Sequence, residues 1–481
     1  MNTTNPSSPT PGAFPPPSYP QGGTHTPPPK KHDDLFKEAK WRDVWAGVLY
    51  MLVLAATIGL EIWAVSTCLS KGLYDTAGEP AVASREHSAS WMFEGLWIGG
   101  MMVLSIILSI LSYLVISAAP QESIKVAFWA NIGVEMGLGV YFLLKELYAL
   151  GIICLVLGLI LLIMFFFIRK RIPLTAELLR TVTSVARTYP AMFLCSFLSA
   201  AASVAYFVLL IHLGHSLSKM HNAKLLDDGA YSGLIVYAVF SFYWTQQVIS
   251  NVFHTIISGV MATFYFVSGS GRPMGHPTAA SAKRALTYSF GSIALGSLIV
   301  ALIQTLRFIL QSSTKRNSIG GAIADCLLSI VEEMTKMFNY YAYIYVAIYG
   351  EPFVASAKST WNLIKTRGLD AIINDNLTGT CVWMFALLNA VVCTMLTYIV
   401  LALFRTYESP SQEFLVTGVV STLVFFIALF LTSLMLNVVS SGVSATFVCL
   451  AADPGALKRT KPELYNRLEA AYSGIFRYWY V

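Results

Sequence analysis

The chain has 481 residues, of which 56% are hydrophobic and only 12% are charged. A soluble domain carries roughly twice that share of charged residues, so the composition excludes an ordinary soluble protein. The net charge of +6 is therefore not a nucleic-acid signal, and its meaning depends on where the basic residues lie between apolar segments. Because apolar runs of about twenty residues recur, the sequence predicts an all-α fold, a polytopic bundle of transmembrane helices.

The N-terminal segment differs sharply from the rest of the chain. Residues 1–29 are rich in Pro, Ser, Thr and Gly, so we expect a disordered cytosolic tail over residues 1–43. Within it, Pro16–Tyr19 reads PPSY and fits the PPxY pattern, whose extended conformation suits the groove of a WW domain. Because Lys30 and Lys31 lie close by, we hypothesise that a WW-domain ubiquitin ligase docks here; the alternative is ordinary low complexity.

Ten apolar segments follow, and they predict a transmembrane domain over residues 44–450 and a cytosolic tail over residues 451–481. The predicted spans cover residues 44–69, 95–118, 125–143, 147–168, 191–217, 231–267, 286–310, 324–350, 377–404 and 414–450. The sixth and tenth are longer than a bilayer requires, so we expect them to tilt, project or break. The eighth has the weakest apolar signal because it contains several charged residues.

The distribution of Lys and Arg sets the orientation. With ten spans and a cytosolic N-terminus, most of the 32 Lys and Arg residues fall in the inner segments. The positive-inside rule then favours both termini in the cytosol. Without the eighth span, the basic C-terminal tail would lie outside, which supports keeping that span.

Polar groups within a span are costly, at about 2.5–3.5 kcal/mol for a charged residue at its centre, so they mark candidate functional positions. In the sixth span, Gln247, Asn251 and His254 follow an i, i+4, i+7 spacing and share one helical face. Tyr243 and Trp244 precede this face. The stripe predicts a path for a substrate or an ion; the alternative is hydrogen bonding that only assembles the bundle.

The eighth span combines acids with tyrosines. Glu332 and Lys336 have the i, i+4 spacing of an ion pair, which would leave Glu333 as the freer carboxylate. A carboxylate beside aromatic faces could hold a quaternary ammonium group through charge and cation–π attraction. The alternative is an interfacial belt of tyrosines. The residues that follow the acids are Asn339, Tyr340, Tyr341, Tyr343, Tyr345 and Tyr349.

The third span contains a second candidate for charge transfer. Asn131 and Glu135 share one helical face, and Glu135 could relay a proton or a charge; the alternative is a satisfied structural carboxyl. Gly133 and Gly137 have the spacing of a small-residue packing pair. Near the end of the seventh span, we expect Arg307 to extend towards the interface.

No metal, cofactor or catalytic site is predicted. The seven cysteines are scattered without metal-ligand spacing. His212, His215 and His221 lie at a predicted outer helix end, without nearby Cys or carboxylate ligands in sequence. No nucleophile elbow or HExxH motif is present, so an enzyme has no positive support.

Three long stretches resemble the choline transporter-like family. They are FYWTQQVISNVFHTIISGVMATFYF (242–266), YAYIYVAIYGEPFVASAKSTWNLIK (341–365) and VCLAADPGALKRTKPELYNRL (448–468). The Pro-rich tail and the short first outer loop, about residues 70–94, resemble the fungal branch, the pH-nine-sensitive proteins. The resemblance implies a plasma-membrane solute carrier. Animal members are associated with choline and related amines, but the substrate of this chain does not follow from the family name.

We therefore predict a transporter of a small cationic organic solute in the plasma membrane, with the third, sixth and eighth helices lining a central path. Gln247, Asn251 and His254 would orient the solute, while Glu333, Glu135 and the tyrosines would stabilise its charge. Two alternatives stay open, namely a channel or carrier for another solute or ion, and a non-transporting membrane stress protein. The predicted substrate-binding residues are Tyr243, Trp244, Gln247, Asn251, His254, Glu333, Asn339, Tyr340 and Tyr343.

Overall fold

The protein is described by a computed structural model, which covers residues 40–74, 81–268, 275–312, 319–367, 370–404 and 410–471. Throughout these ranges the chain forms helices joined by short turns, without a β-strand. The prediction of an all-α helical bundle is thereby confirmed. The PPxY segment Pro16–Tyr19, with Lys30 and Lys31, lies outside the described residues.

Fifteen α-helices are present in the described ranges. Their bounds are α1 Val44–Ser70, α2 Ala81–Ala118, α3 Pro120–Leu144, α4 Tyr148–Ile168, α5 Ile172–Thr188, α6 Ala191–Asn222, α7 Asp228–Val267, α8 Pro277–Leu286, α9 Phe290–Ser312, α10 Ile319–Tyr349, α11 Phe353–Arg367, α12 Asp370–Phe404, α13 Pro410–Ala452, α14 Pro454–Thr460 and α15 Pro462–Ala471. A single 3₁₀ turn, Arg169–Arg171, joins α4 to α5. The two longest predicted spans are the continuous helices α7 and α13, of 40 and 43 residues.

Within the described residues, nine helices are long and apolar enough to cross a membrane: α1, α2 from Leu96, α3, α4, α6, α7, α9, α12 and α13. The eighth predicted span corresponds to α10, which has 31 residues and so a length of about 46 Å. It packs against α7, α9 and α11. The consecutive residues 341–348 are all buried, so this half of α10 is covered by protein.

The five shorter helices α5, α8, α11, α14 and α15 occupy segments that hydropathy assigns to loops. In α5, the buried residues Leu178, Val182 and Val185 recur at helical spacing, while Arg180 faces outwards. A Cβ at Gly442 of α13 would lie only 2.5 Å from Val182 Cγ1. Close approach of α13 to α5 therefore depends on glycine at this position.

Close packing between α3 and α4 uses other glycines than those predicted. A Cβ at Gly133 or Gly137 would meet nothing within 4 Å. At Gly139 it would lie 2.7 Å from Leu155, and at Gly151 it would lie 2.7 Å from Leu143. The predicted packing pair is wrong, because glycine spacing alone does not show which side of α3 faces α4.

Candidate functional site

A polar cluster lies where α7, α9, α10 and α13 meet. We call it the crossing cluster. It comprises Asn251 and His254 of α7, Ser297 of α9, Asn339, Tyr340 and Tyr343 of α10, and Ser441 and Ser444 of α13.

His254 connects three of these helices. Its Nε2 lies 2.9 Å from the backbone oxygen of Tyr340, and its Nδ1 lies 3.0 Å from Ser441 Oγ. Because a carbonyl oxygen only accepts hydrogen bonds, Nε2 carries the proton, and Nδ1 of a neutral imidazole accepts from Ser441. The ring also stacks on Tyr340, with 3.8 Å between centroids. The sequence placed His254 on a polar face, and the structure supplies its partners.

Asn251 and Tyr343 form the second part of the cluster. The amide of Asn251 donates to Ser297 Oγ at 2.9 Å and lies 3.5 Å from the Tyr343 hydroxyl. That hydroxyl also lies 3.4 Å from Ser297 Oγ and 3.3 Å from the carbonyl oxygen of Ile293. The α7–α9–α10 contact is thus built from polar groups shared among three helices.

Asn339 extends the cluster to the backbone of α9. Its amide donates to the carbonyl oxygen of Gly296 at 2.8 Å. A Cβ at Gly296 would collide with the Tyr343 hydroxyl and the Phe353 ring. Glycine at position 296 therefore permits the close approach of α9 and α10 that the hydrogen bond requires.

The crossing cluster is closed in this conformation. Exposure is 2% for His254, 4% for Asn339 and 0% for Tyr343 and Ser441. The tyrosines Tyr341 and Tyr345 are also buried. An interfacial belt would place tyrosine side chains at the bundle surface, so their burial decides against that alternative for these positions.

Three other predicted residues of α7 lie beside the cluster. Trp244 is buried, donates from Nε1 to the backbone oxygen of Ala294 at 3.1 Å and packs edge-on against Tyr50. Tyr243 is half-buried next to this contact. Gln247 is half-buried and forms no hydrogen bond to another described residue, whereas its neighbour Gln246 donates to α6.

Glu333 is not brought to the crossing cluster. Its side chain is 70% exposed and lies 3.0 Å from Lys336. The predicted pair between Glu332 and Lys336 is confirmed, at 2.6 Å. Glu332 is the buried acid, and it also accepts from Gln304. We expected Glu333 to face a central path. In the structure it lies on the exposed side of α10, whereas its neighbour Glu332 faces the protein.

Arg307 belongs to the same ionic network. It pairs with Glu332 and, at 3.2 Å, with Asp325. We expected Arg307 to extend towards the interface. In the structure it instead forms a salt bridge between α9 and α10. Spacing could predict only the pair within α10, since the Arg307 contact depends on helix packing.

Glu135 is also separate from the cluster. It is half-buried on α3, which packs against α2, α4, α5 and α12. Asn131, on the same helical face, donates to the backbone oxygen of Met384 in α12 at 3.0 Å. The structure therefore groups the sixth and eighth predicted spans at one site and leaves the third elsewhere.

The three histidines of α6 lie outside the crossing cluster, and two of them have carboxylate neighbours. His212 Nδ1 lies 2.5 Å from Glu61 of α1, and His221 Nε2 lies 2.9 Å from Asp228. These are pairs, and the described residues include no group of three metal-ligating side chains.

Sequence reasoning missed the contributions of α9 and α13. Ser297, Ser441 and Ser444 are small and weakly polar, and serine is common in apolar spans. A signal was present in the small-residue run SSGVS at residues 440–444, since such runs mark helix surfaces that approach closely.

Comparison with known proteins agrees with this architecture. A family model described as plasma-membrane choline transporter matches residues 152–455, which include all four helices of the crossing cluster. Protein PNS1 of Gibberella zeae is 33% identical over 92% of this chain and 84% of its own length. A CTL-like protein of Dictyostelium discoideum is 32% identical, with coverages of 91% and 76%. Protein PNS1 of Saccharomyces cerevisiae is 26% identical, with coverages of 91% and 85%.

The family model covers well over half of the chain, and similarity to the relatives runs through nearly all of it. The described residues include nine helices long and apolar enough to cross a membrane, in agreement with a membrane protein of this family. This chain belongs to the choline transporter-like family of membrane transporters.

Proposed function

We propose that the protein is a plasma-membrane carrier of a small, choline-like organic cation, and that the solute passes through the crossing cluster. The carrying observation is the concentration of buried polar groups where α7, α9, α10 and α13 meet. Polar residues inside a membrane bundle are costly, and they commonly mark the pathway of a transported species.

The chemistry of the cluster suits an organic cation that binds to carbonyl oxygens and aromatic rings rather than to a carboxylate. The backbone oxygens of Tyr340, Gly296 and Ile293 point to side chains of the cluster. Carbonyl oxygens and aromatic ring faces both carry partial negative charge, and ring faces attract quaternary ammonium groups. The stacked rings of His254 and Tyr340 supply two such faces once they separate.

Opening of the site would involve a small number of contacts. His254 connects α7 to α13 through Ser441 and to α10 through Tyr340. Movement of α13 relative to α7 and α10 would release the Nδ1 contact and admit water and solute. We propose that this contact is made and broken during alternating access, as one group of helices moves against another. The buried cluster favours such a carrier over a permanently water-filled channel.

Uptake of labelled choline by purified protein in liposomes tests this proposal. We expect saturable uptake by the wild-type protein. His254→Ala should reduce it by about tenfold or more, which corresponds to about 1.4 kcal/mol of lost interaction. Glu333→Gln is the matched control and should change uptake by less than about twofold, because its side chain is exposed and outside the cluster.

Folding must be separated from transport in this experiment. Each variant should elute as a monodisperse species and insert into liposomes to the same extent as wild type. If folded wild-type protein takes up no choline, the choline proposal fails. If Glu333→Gln reduces uptake as much as His254→Ala, the pathway lies along the outer face of α10 instead.

We further propose that the PPSY segment Pro16–Tyr19 recruits a WW-domain ubiquitin ligase that removes the carrier from the plasma membrane. The support is the fit of this segment to the PPxY pattern. Tyr19→Ala should leave surface abundance high under conditions that deplete the wild type. Equal depletion of both proteins would count against this interaction.

A further inference from the structure

A groove of about 1280 Å³ lies between α10 and α11 on the surface of the bundle, and we call it the α10–α11 groove. Its volume exceeds the roughly 300–1,000 Å³ of ordinary small-molecule pockets. On the α10 side it is lined largely by apolar side chains, and Val331, Met334 and Met337 among them are exposed. The groove therefore has room for an elongated apolar group, and its α10 wall is open to the surroundings of the protein.

The exposed face of α11 combines basic and aromatic side chains. Lys358, Trp361 and Lys365 have i, i+3, i+7 spacing, so they share one face, and all three line the groove and are exposed. On the other side of the helix, Ser356 and Thr360 are buried. Tryptophan and lysine are typical of helix faces that lie where hydrocarbon meets the lipid headgroups. The helix α11 thus has the side-chain pattern of an interfacial helix.

Trp361 joins the two walls of the groove. Its ring lies edge-on to Phe338 of α10, with 6.3 Å between the ring centroids. The Nζ atom of Lys365 lies 5.0 Å from the Trp361 ring centroid, within the range of a cation–π contact. This contact keeps the ammonium group of Lys365 beside the apolar wall of the groove.

The groove carries positive charge. Lys358 and Lys365 are the charged groups among its described lining residues, and no acid lies among them. Neither lysine forms an ion pair with a described carboxylate. The acids Glu332 and Glu333 of α10 both pair with Lys336 instead. An anionic group at the mouth of the groove would therefore meet two lysines that no described carboxylate neutralises.

The distribution of Lys and Arg in the sequence predicts the side of the membrane on which α11 lies. The helix α10 corresponds to the eighth predicted span, which runs towards the cytosol when the N-terminus is cytosolic. Because α11 follows directly after α10, the positive-inside rule predicts it at the cytosolic leaflet. That leaflet contains anionic phospholipids, and their surface potential attracts lysine.

We propose that the α10–α11 groove binds one anionic phospholipid of the cytosolic leaflet. The headgroup phosphate accepts hydrogen bonds from the ammonium groups of Lys358 and Lys365. An acyl chain lies along Val331, Met334 and Met337, where it covers apolar surface that the protein leaves exposed. The two lysines select this lipid over phosphatidylcholine, whose headgroup has no net charge.

A second copy of the chain is a less suitable occupant of the groove. In a symmetric dimer the same surface of both copies meets, so a contact through this groove would bring the lysines of one copy close to those of the other. Juxtaposed like charges oppose association. A phospholipid supplies both an apolar chain and the negative charge that the described lining residues lack.

The groove adjoins the crossing cluster. Tyr341 lines the groove and directly follows Tyr340 of the cluster, with 5.9 Å between their ring centroids. A lipid in the groove contacts the same helix that contributes Asn339 and Tyr343 to the cluster. We therefore expect anionic lipid to influence the movement of α10 during transport. This consequence rests on the proposed function, whereas lipid binding itself does not.

Thermal unfolding of the full-length, detergent-purified protein tests the binding. Phosphatidylserine is titrated in mixed micelles, with phosphatidylcholine of the same acyl chains as the reference lipid. The wild-type Tm should rise more with phosphatidylserine and saturate, because a ligand that binds only the folded state stabilises it by mass action. A variant that carries both Lys358→Gln and Lys365→Gln should need at least about tenfold more phosphatidylserine for the same rise.

Lys458→Gln is the matched control. Lys458 is also an exposed lysine over an aromatic ring, with Nζ 5.5 Å from the Tyr465 centroid, but it lies on α14 outside the groove. Its variant should respond like the wild type. Because Lys358 and Lys365 are both exposed, the double variant should fold normally, and its Tm without added lipid checks this.

A second arm separates a lipid from a free anion and from a second copy of the chain. Inorganic phosphate at the same ionic strength should not reproduce the stabilisation. Met334→Asn makes the apolar wall more polar but keeps both lysines, and it should weaken the response to phosphatidylserine.

Three outcomes would overturn the proposal, whether or not choline is transported. Stabilisation by inorganic phosphate alone would assign the lysines to a free anion. A lipid-independent dimer that Trp361→Ala disrupts would assign the groove to a second copy. Equal stabilisation of the wild type and the double variant by phosphatidylserine would show that the groove does not recognise an anionic headgroup.

Discussion

The helices α4 and α7 both qualify as membrane spans, yet they differ in how much of their surface the protein buries. In the most apolar 18-residue stretch of α4, 17% of the residues are buried, against 67% in that of α7. The buried residues of α4 are Gly151, Gly158 and Phe165, spaced by seven, and they form a single narrow seam. The other residues of α4 are half-buried or exposed, and none of them is charged.

α7 is less apolar because protein surrounds it. It packs against α6, α8, α9, α10 and α13. Asn251 and His254 therefore find hydrogen-bond partners on neighbouring helices. The polarity of a span therefore depends on whether each of its faces contacts lipid or protein. Four predictions test this difference, from the largest expected effect to the smallest.

The largest effect is expected from a charge on the lipid-facing helix. Ile160→Arg places a cation near the middle of α4, where the side chain of Ile160 is exposed on the surface of the bundle. An arginine at the centre of a span costs about 2.5–3.5 kcal/mol on insertion scales. The yield of monodisperse protein in size-exclusion chromatography should fall strongly.

Phe167→Arg provides the control for depth. Phe167 is also exposed but lies in the last turn of α4, beside Arg169, where a long side chain reaches the interface. Its yield should stay near that of the wild type. Normal yield from Ile160→Arg would show that this face of α4 is not in lipid.

The next effect is expected in the ionic network of α10. Glu332→Gln removes the charge that Arg307 and Lys336 share and should lower the free energy of unfolding by about 1.5–3 kcal/mol, as for other hydrogen bonds to charged groups. The measurement is thermal unfolding in detergent.

Glu333→Gln is the neighbouring control. Its exposed pair with Lys336 should contribute less than about 1 kcal/mol. Equal destabilisation by the two substitutions would mean that the buried Glu332 contributes no more to stability than the exposed Glu333.

A smaller effect is expected from a methyl group at the α9–α10 contact. Gly296→Ala forces the Tyr343 hydroxyl and the Phe353 ring to move and should destabilise the fold by about 1–3 kcal/mol, in the range of other overpacked sites. Gly137→Ala meets nothing within 4 Å and should be neutral or slightly stabilising, since alanine favours helix. A reversed ranking in thermal unfolding would contradict the close approach of α9 and α10.

The smallest effect concerns Lys461, between α14 and α15. Burial lowers its pKa to about 8, although the Phe264 ring, with its centroid 3.1 Å from Nζ, attracts the ammonium group. The unfolded chain then binds more protons than the folded chain above about pH 8, so stability from this group rises with pH from about 8 towards the ordinary lysine pKa. Lys461→Met should flatten this part of the Tm–pH curve.

Lys458→Met, in the last turn of α14, is the control for Lys461→Met. It should retain the wild-type pH dependence. An unchanged curve in Lys461→Met would assign the alkaline stabilisation to another group.

The sequence by itself determined the apolar spans and the polar face of α7, because these depend on spacing within one segment. Gln247, Asn251 and His254 share a face whatever packs against them. The i, i+4 pair of Glu332 and Lys336 was predictable for the same reason.

Only the tertiary structure decided which helices face one another. It gave His254 the partners Ser441 and Tyr340 and turned Glu333 outwards, and it placed Gly139, not the predicted pair Gly133 and Gly137, at a close helix contact. The physical reason is that side-chain spacing fixes a face only within its own helix. The rotation of that helix towards its neighbours depends on packing across segments that are far apart in the chain.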